Sequence, residues 1–187
     1  TTFFENDALK AGGGAASSDS PPHFNGCFFD GNTCSSGDGA AFTALDQIEL
    51  LGDLPVLDAC VFMNNEPSSY GSSVHIEWGE LTNCTASMNG NSTTQTTIFA
   101  GTGATVRNCT ITDNLGNGIE TEGNSILEGC LISGNNSTSA GGGIDVLNDG
   151  DPDKANVIRD CTIVGNQNQR TTSAFLGIPI VQQGLLK

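Results

Sequence analysis

The chain has 187 residues, and 21 acidic residues against 6 lysines and arginines give it a formal net charge of −15 at pH 7. This charge disfavours nucleic acids and anionic membrane surfaces as partners, because both would repel the protein. A membrane-spanning helix needs about 20 consecutive apolar residues, and no apolar run in the chain approaches that length. Membrane insertion is therefore not expected.

A short pattern recurs from the start of the chain to residue 166. In each repeat a cysteine follows an apolar residue by three positions, and an asparagine follows the cysteine by five, as in "VRNCTITDN" (106–114). The cysteines of the series are Cys27, Cys60, Cys84, Cys109, Cys130 and Cys161. The asparagines are Asn6, Asn32, Asn65, Asn89, Asn114, Asn135 and Asn166.

Each repeat predicts three short strands. The residue before the cysteine is usually Gly, Asn or Asp, which tolerate the left-handed backbone of a sharp bend between two strands. The cysteine and the apolar residue two positions later then share the inward face of the second strand. After the asparagine, a polar turn of variable length leads to a third strand, as in 37–42, 71–79, 116–123 and 141–150.

Three strands per repeat predict an all-β, right-handed, single-stranded parallel β-helix of about seven coils, forming one domain over residues 1–187. Like residues then stack on like residues in successive coils. We expect mostly reduced, buried cysteines, and asparagines that hydrogen-bond along the stack. Cys34 lies off register in the turn 31–39, where we expect it to be exposed or paired with a neighbouring molecule.

Both ends of the chain fall at related positions of the repeat. Thr1 occupies a cysteine position, and Lys187 lies one position before the next one, so we expect a whole number of coils with uncapped ends. Such ends pair either with further coils of a larger chain or end to end with a second copy. The predicted joining residues are Thr1, Phe3, Phe4, Ile178, Ile180, Leu185 and Leu186.

Parts of the repeat resemble known families. "FFENDALKAGGGAA" (3–16) resembles the repeats of chlamydial polymorphic outer-membrane proteins, and "NCTITDN" (108–114) is similar to coils of secreted pectate-lyase-like right-handed β-helix proteins. The resemblance covers nearly the whole chain and implies this fold and a place outside the cell. That superfamily includes polysaccharide lyases, hydrolases, adhesins and filament proteins, so the resemblance does not choose a function.

The third strand of each repeat carries the candidate residues for chemistry. Alternation predicts that five of its polar residues point outward: His75, Glu77, Glu120, Glu122 and Asp145. Paired carboxylates can transfer protons or bind Ca²⁺. However, an acidic protein is expected to have solvated acidic faces, and the N-T-D, D-D, G-H-G and R-I-K motifs of polygalacturonase-like enzymes are absent. The sequence therefore favours a non-enzyme without a cofactor.

Three surface features stay open. Asp149, Asp151 and Asp153 form an acidic turn that is a weak Ca²⁺ candidate, without the spacing of an EF-hand. Sequons make Asn83, Asn91, Asn108 and Asn136 candidate glycosylation sites. The threonine-rich segment 93–105 suggests ice binding as a possible function. Ice binding needs a flat threonine array on successive coils, and the neighbouring coils are not expected to supply one.

The leading interpretation is an extracellular structural or adhesive β-helix module that associates head to tail as a filament or surface-appendage subunit. The alternative is a carbohydrate-active or glycan-binding β-helix protein that uses the acidic outer face.

Overall fold

The computed structural model describes residues 1–17, 21–44, 54–138, 141–147 and 154–168. The regular elements of these residues are 23 short strands. Three large parallel sheets and two small ones contain all of the strands. The predicted residues Asp149, Asp151, Asp153, Ile178, Ile180, Leu185 and Leu186 lie outside the described part.

The strands that follow the cysteine positions form sheet 1. In spatial order they are β1 (Thr2–Phe4), β5 (Phe28–Asp30), β9 (Val61–Met63), β12 (Thr85–Ser87), β15 (Thr110–Thr112), β18 (Leu131–Ser133) and β22 (Thr162–Val164). The strands that precede the cysteines form sheet 3. They are β4 (His23–Asn25), β8 (Val56–Asp58), β11 (Gly79–Thr82), β14 (Ala104–Arg107), β17 (Ile126–Glu128) and β21 (Val157–Arg159).

The strands that come after the asparagine turns form sheet 2. They are β3 (Ala15–Ser17), β7 (Phe42–Ala44), β10 (Ser72–Ile76), β13 (Thr96–Ala100), β16 (Asn117–Thr121) and β20 (Ile144–Val146). Two small sheets lie directly after an asparagine. They pair β2 (Asp7–Ala8) with β6 (Thr33–Cys34), and β19 (Asn136–Ser137) with β23 (Gln167–Asn168).

The chain passes from sheet 3 to sheet 1 to sheet 2 in each coil, and each strand pairs in parallel with the equivalent strand of the next coil. In β15, for example, Ile111 pairs with Ala86 of the previous coil and with Ile132 of the following one. This confirms the predicted parallel β-helix with three main strands per coil. The small sheets add a short fourth strand in some coils, which the variable turns hid in the sequence.

Two left-handed bends turn each coil around sheet 1. The six residues before the cysteines all have positive φ angles, from 51° at Ala59 to 64° at Gly129. The residues directly before the asparagines form a second set with positive φ, which the sequence did not predict. This set is Glu5, Gly31, Asn64, Met88, Asp113, Gly134 and Gly165. Since Met88 and Ala59 lack any special tolerance for this conformation, the register of the coil imposes it on them.

The asparagines form a continuous hydrogen-bond series from Asn6 to Asn166. The side-chain oxygen of each asparagine after Asn6 accepts hydrogen bonds from the backbone N–H and the amide group of the asparagine in the previous coil, at 2.8–3.1 Å. From Asn32 onward, each amide also donates to the carbonyl of an inward-facing residue of the previous coil, such as Phe62 for Asn89. The five asparagines from Asn32 to Asn135 are buried.

The interior of the β-helix is apolar and free of disulfides. All seven cysteines are buried and unpaired with one another. Phe29 stacks between Phe3 and Phe62 with ring centroids 4.5 and 5.0 Å apart. The expectation that Cys34 is exposed was wrong, since it is 2% exposed and pairs with Ala8 in the first small sheet. Burial raises the pKa of its thiol.

Candidate functional site

The outer face of sheet 2 collects the predicted polar residues in one register. Val74, Ile98 and Ile119 stack inward, so the residues that follow them stack outward. This outward column runs Thr43, His75, Phe99, Glu120 and Asp145. A parallel column places Glu77, Gly101 and Glu122 in successive coils, because the N–H of Gly101 donates to the carbonyl of Ile76 and that of Glu122 donates to the carbonyl of Ala100.

His75 lies on this outer face but is covered by its neighbours, leaving it 7% exposed. The ring of Phe99 stacks on its imidazole with centroids 4.5 Å apart and planes 11° from parallel. Nε2 of His75 lies 3.1 Å from Oε1 of Glu77, and Nδ1 lies 3.9 Å from Oδ2 of Asp38. The imidazole therefore sits between two carboxylates, with little of it open to a ligand.

Glu120 is the carboxyl group best suited to carry a proton. Burial raises its pKa, and the negative charges of Asp145, Asp38 and Glu122 act in the same direction. One hydrogen bond opposes these effects, since Oγ1 of Thr96 donates to Oε2 of Glu120 at 3.1 Å. A half-buried carboxyl with a raised pKa can donate a hydrogen bond or a proton to a ligand on this face.

Several residues of this face were not predicted from the sequence. Asp38 lies in the turn before β7 and approaches His75 from there. Thr96 is the first residue of β13, and its hydroxyl donates to Glu120. Alternation in the strand pattern "TTIFA" predicts that Phe99 points outward, and the register of the coils places it beside His75 and Glu120. Trp78 lies against Gly103, whose missing side chain leaves room for the indole ring.

The predicted calcium turn with Asp149, Asp151 and Asp153 lies outside the described residues, so only the acidic face can be searched for a metal site. Within the described ranges, no group of three or more His, Cys, Asp or Glu side chains is arranged to hold a metal ion. The acidic face thus contains carboxylates in successive coils without a common centre.

A second cluster of charge lies on the outer face of sheet 3. Glu128 stands in register between Arg107 and Arg159 and accepts hydrogen bonds from both through Oε2, at 3.0 and 2.9 Å. These bonds, that of Arg159 first, hold the pKa of Glu128 below its usual range. Further along the same column, Asp58 accepts hydrogen bonds from Asn83, Thr82 and Asn25, which lower its pKa as well.

The sequon asparagines lie in different environments. Asn83 and Asn108 are exposed at the bend before the cysteines, and the amide of Asn83 donates to Asp58 at 2.8 Å. Asn91 is exposed and donates to Glu66 at 3.0 Å. Asn136 is half-buried in β19.

The comparison with protein families identifies the fold. A family model described as "right handed beta helix region" matches residues 29–180. The chain belongs to this right-handed β-helix family. No curated protein and no solved structure matches the chain significantly. Within the described ranges, no helix has the length and apolarity required to cross a membrane.

Proposed function

We propose that the chain is a structural or adhesive β-helix module that acts outside the cell and is extended coil on coil through its open N-terminal edge. One observation carries this proposal: the edge formed by β1, β3 and β4 has no pairing partner among the described residues. An unpaired parallel sheet edge is a template for another strand. Three such edges lie side by side at this end.

The backbone directions in β1 identify the groups that await a partner. The carbonyl of Thr1 accepts from Phe28, and the N–H of Glu5 donates to Asp30. Since alternate residues of a parallel strand bond to the same neighbour, the backbone groups of Thr2 and Phe4 point away from β5. The ring of Phe3, stacked on Phe29, offers a further aromatic layer to the incoming coil.

The proposed location outside the cell rests on different support. The acidic composition suits a solvated exterior, and the repeats are similar to those of secreted β-helix proteins. A second copy of the chain or further coils of a longer chain would supply the partner strands.

Sedimentation velocity tests the proposal with a matched pair of variants. Phe4→Pro and Phe4→Ala both remove the aromatic ring, but only proline removes the backbone N–H that points to the open edge. We expect the wild type and Phe4→Ala to form species heavier than the 19.2 kDa chain, increasingly so at higher concentration, and Phe4→Pro to sediment as single chains. A wild type that stays a single chain at every concentration would contradict association through this edge.

Glu120 favours a second candidate function, in which sheet 2 binds or cleaves an acidic polysaccharide. The raised pKa of Glu120, the aromatic ring of Phe99 and the nearby carboxylates support it. The test compares binding and cleavage of uronate polysaccharides, with and without Ca²⁺, by the wild type, Glu120→Gln and the sheet 3 control Glu80→Gln. The candidate requires that Glu120→Gln alone lose the activity, and it is abandoned if the wild type neither binds nor cleaves.

A further inference from the structure

The outer face of sheet 1 is almost free of charge. Its strands contribute two outward residues each, on either side of a central residue that is buried in the five strands β5, β9, β12, β15 and β18. The first column is Thr2, Phe28, Val61, Thr85, Thr110, Leu131 and Thr162. The second column is Phe4, Asp30, Met63, Ser87, Thr112, Ser133 and Val164. Asp30 is the one charged side chain among these fourteen.

The other two faces of the β-helix differ sharply from this one. Sheet 2 presents Glu77, Glu120 and Asp145, and the column at the end of sheet 3 contains the ion pairs of Glu128. In a chain with a net charge of −15, the outer face of sheet 1 therefore carries very little charge. Such a face suits an uncharged partner, because binding it removes at most one charged side chain, Asp30, from water.

Hydroxyl groups occupy the middle of this uncharged face. Strands β12 and β15 present Thr or Ser at both outward positions, and β18 and β22 present one each. None of these six hydroxyls hydrogen-bonds to another of the described residues, unlike Thr43 and Thr96 on sheet 2, which do. No side chain among the described residues thus competes with a ligand for these hydroxyls.

The register makes these groups a regular array. Equivalent residues of neighbouring strands are about 4.8 Å apart, and the two columns are about 6.6 Å apart along each strand. Threonine has few side-chain rotamers in a strand, so its methyl and hydroxyl groups hold fixed positions. The outward residues of β12 and β15 therefore present a block of four hydroxyl groups at constant spacing, with methyl groups at Thr85, Thr110 and Thr112.

The size of the face argues against a second copy as its partner. Seven strands and two columns cover roughly 450 Å², whereas each side of a stable protein interface buries about 800 Å². The central strands also lack the large aromatic anchors that usually dominate protein–protein binding. A partner that is itself periodic can instead contact every row of a narrow array at once.

We propose that the outer face of sheet 1 binds ice, through the hydroxyl and methyl array centred on β12 and β15. Ordered water on an ice surface is uncharged and periodic, and it offers both donors and acceptors to hydroxyl groups. The threonine-rich segment 93–105 does not form this array, since Thr96 bonds to Glu120 and Thr97 is buried. Hydroxyl groups instead lie on neighbouring coils of sheet 1, at both outward positions of β12 and β15.

Partition of the chain into a slowly growing ice hemisphere tests the proposal. The key variant is Thr110→Lys at the centre of the array, and the matched control is Thr105→Lys on the outer face of sheet 3 in the same coil. We expect wild type and Thr105→Lys to enter the ice equally, and Thr110→Lys to enter it about tenfold less. Thermal unfolding of each variant shows whether it is folded, and Thr112→Lys replaces Thr110→Lys if the latter is not.

Inhibition of ice recrystallisation gives a second readout, with the same order expected among the variants. Exclusion of the folded wild type from ice would overturn the proposal, as would equal partition of Thr105→Lys and a folded array variant. Binding to uncharged cellulose without binding to ice, or a dimer that Thr110→Lys dissociates, would also overturn it by identifying a different partner.

Discussion

The central asparagines should contribute far more stability than the first one, and Asn89→Ala tests this directly. The side chain of Asn89 takes part in four hydrogen bonds, at 2.9–3.0 Å: it accepts two from Asn65 and donates to Phe62 and Asn114. Asn89 is 1% exposed, so water cannot replace these bonds. At about 1 kcal/mol for each bond, the substitution should cost about 3–5 kcal/mol of unfolding free energy.

Asn6→Ala is the matched control. Asn6 is exposed, and its side chain makes one hydrogen bond, to Asn32 at 2.8 Å, so its loss should cost about 1 kcal/mol or less. Urea unfolding followed by circular dichroism compares the two variants with the wild type. Since a typical domain is stable by about 5–15 kcal/mol, the Asn89 variant should unfold at a much lower urea concentration. Equal and small losses for both variants would refute the account of the asparagine series.

Three further predictions concern single side chains, and urea midpoints measure each of them. Met88→Gly should stabilise the protein by up to about 1 kcal/mol, because Met88 has a φ of 54° that glycine adopts without strain. Gly134→Ala should destabilise it, because Gly134 has a φ of 67°. A loss of stability in Met88→Gly together with a gain in Gly134→Ala would contradict the second bend. Glu128→Gln should lower the midpoint at pH 7. This difference should vanish in acid, because the stability from a carboxyl with a lowered pKa is lost as pH falls through the folded pKa. Glu120→Gln should raise the urea midpoint at pH 7, because a carboxyl with a raised pKa destabilises the folded state once it is ionised. Below about pH 4 the carboxyl is protonated and the substitution should no longer raise the midpoint. A lower midpoint of Glu120→Gln at pH 7 would contradict the burial of this carboxyl.

The repeat made the fold readable from the sequence. Cysteine and asparagine recur at fixed phase because each must lie on its equivalent in the next coil, so their spacing revealed the strands, the bend before the cysteine and the parallel pairing. The family match over residues 29–180 agrees with that reading. The small sheets and the second bend were missed, since residues as different as Met88 and Gly134 share one backbone conformation there.

The surface was harder to predict than the interior. Alternation placed His75 and Glu120 on an outer face, but it could not show that Phe99 and Glu77 cover the imidazole. Asp38 belongs to a turn whose path depends on packing against the next coil. The uncharged face of sheet 1 was missed because its residues are spread over the chain at intervals that vary, and only the register aligns them.

Electron microscopy of the purified chain tests most directly the claim that this β-helix is extended through its open edge. Seven strands of sheet 1 at about 4.8 Å give one chain an axial length of roughly 30 Å over the described coils. Extension through the open edge should give rods that are several times this length and of constant width, and Phe4→Pro should give single particles. Uniform particles about one chain long in the wild type would contradict it.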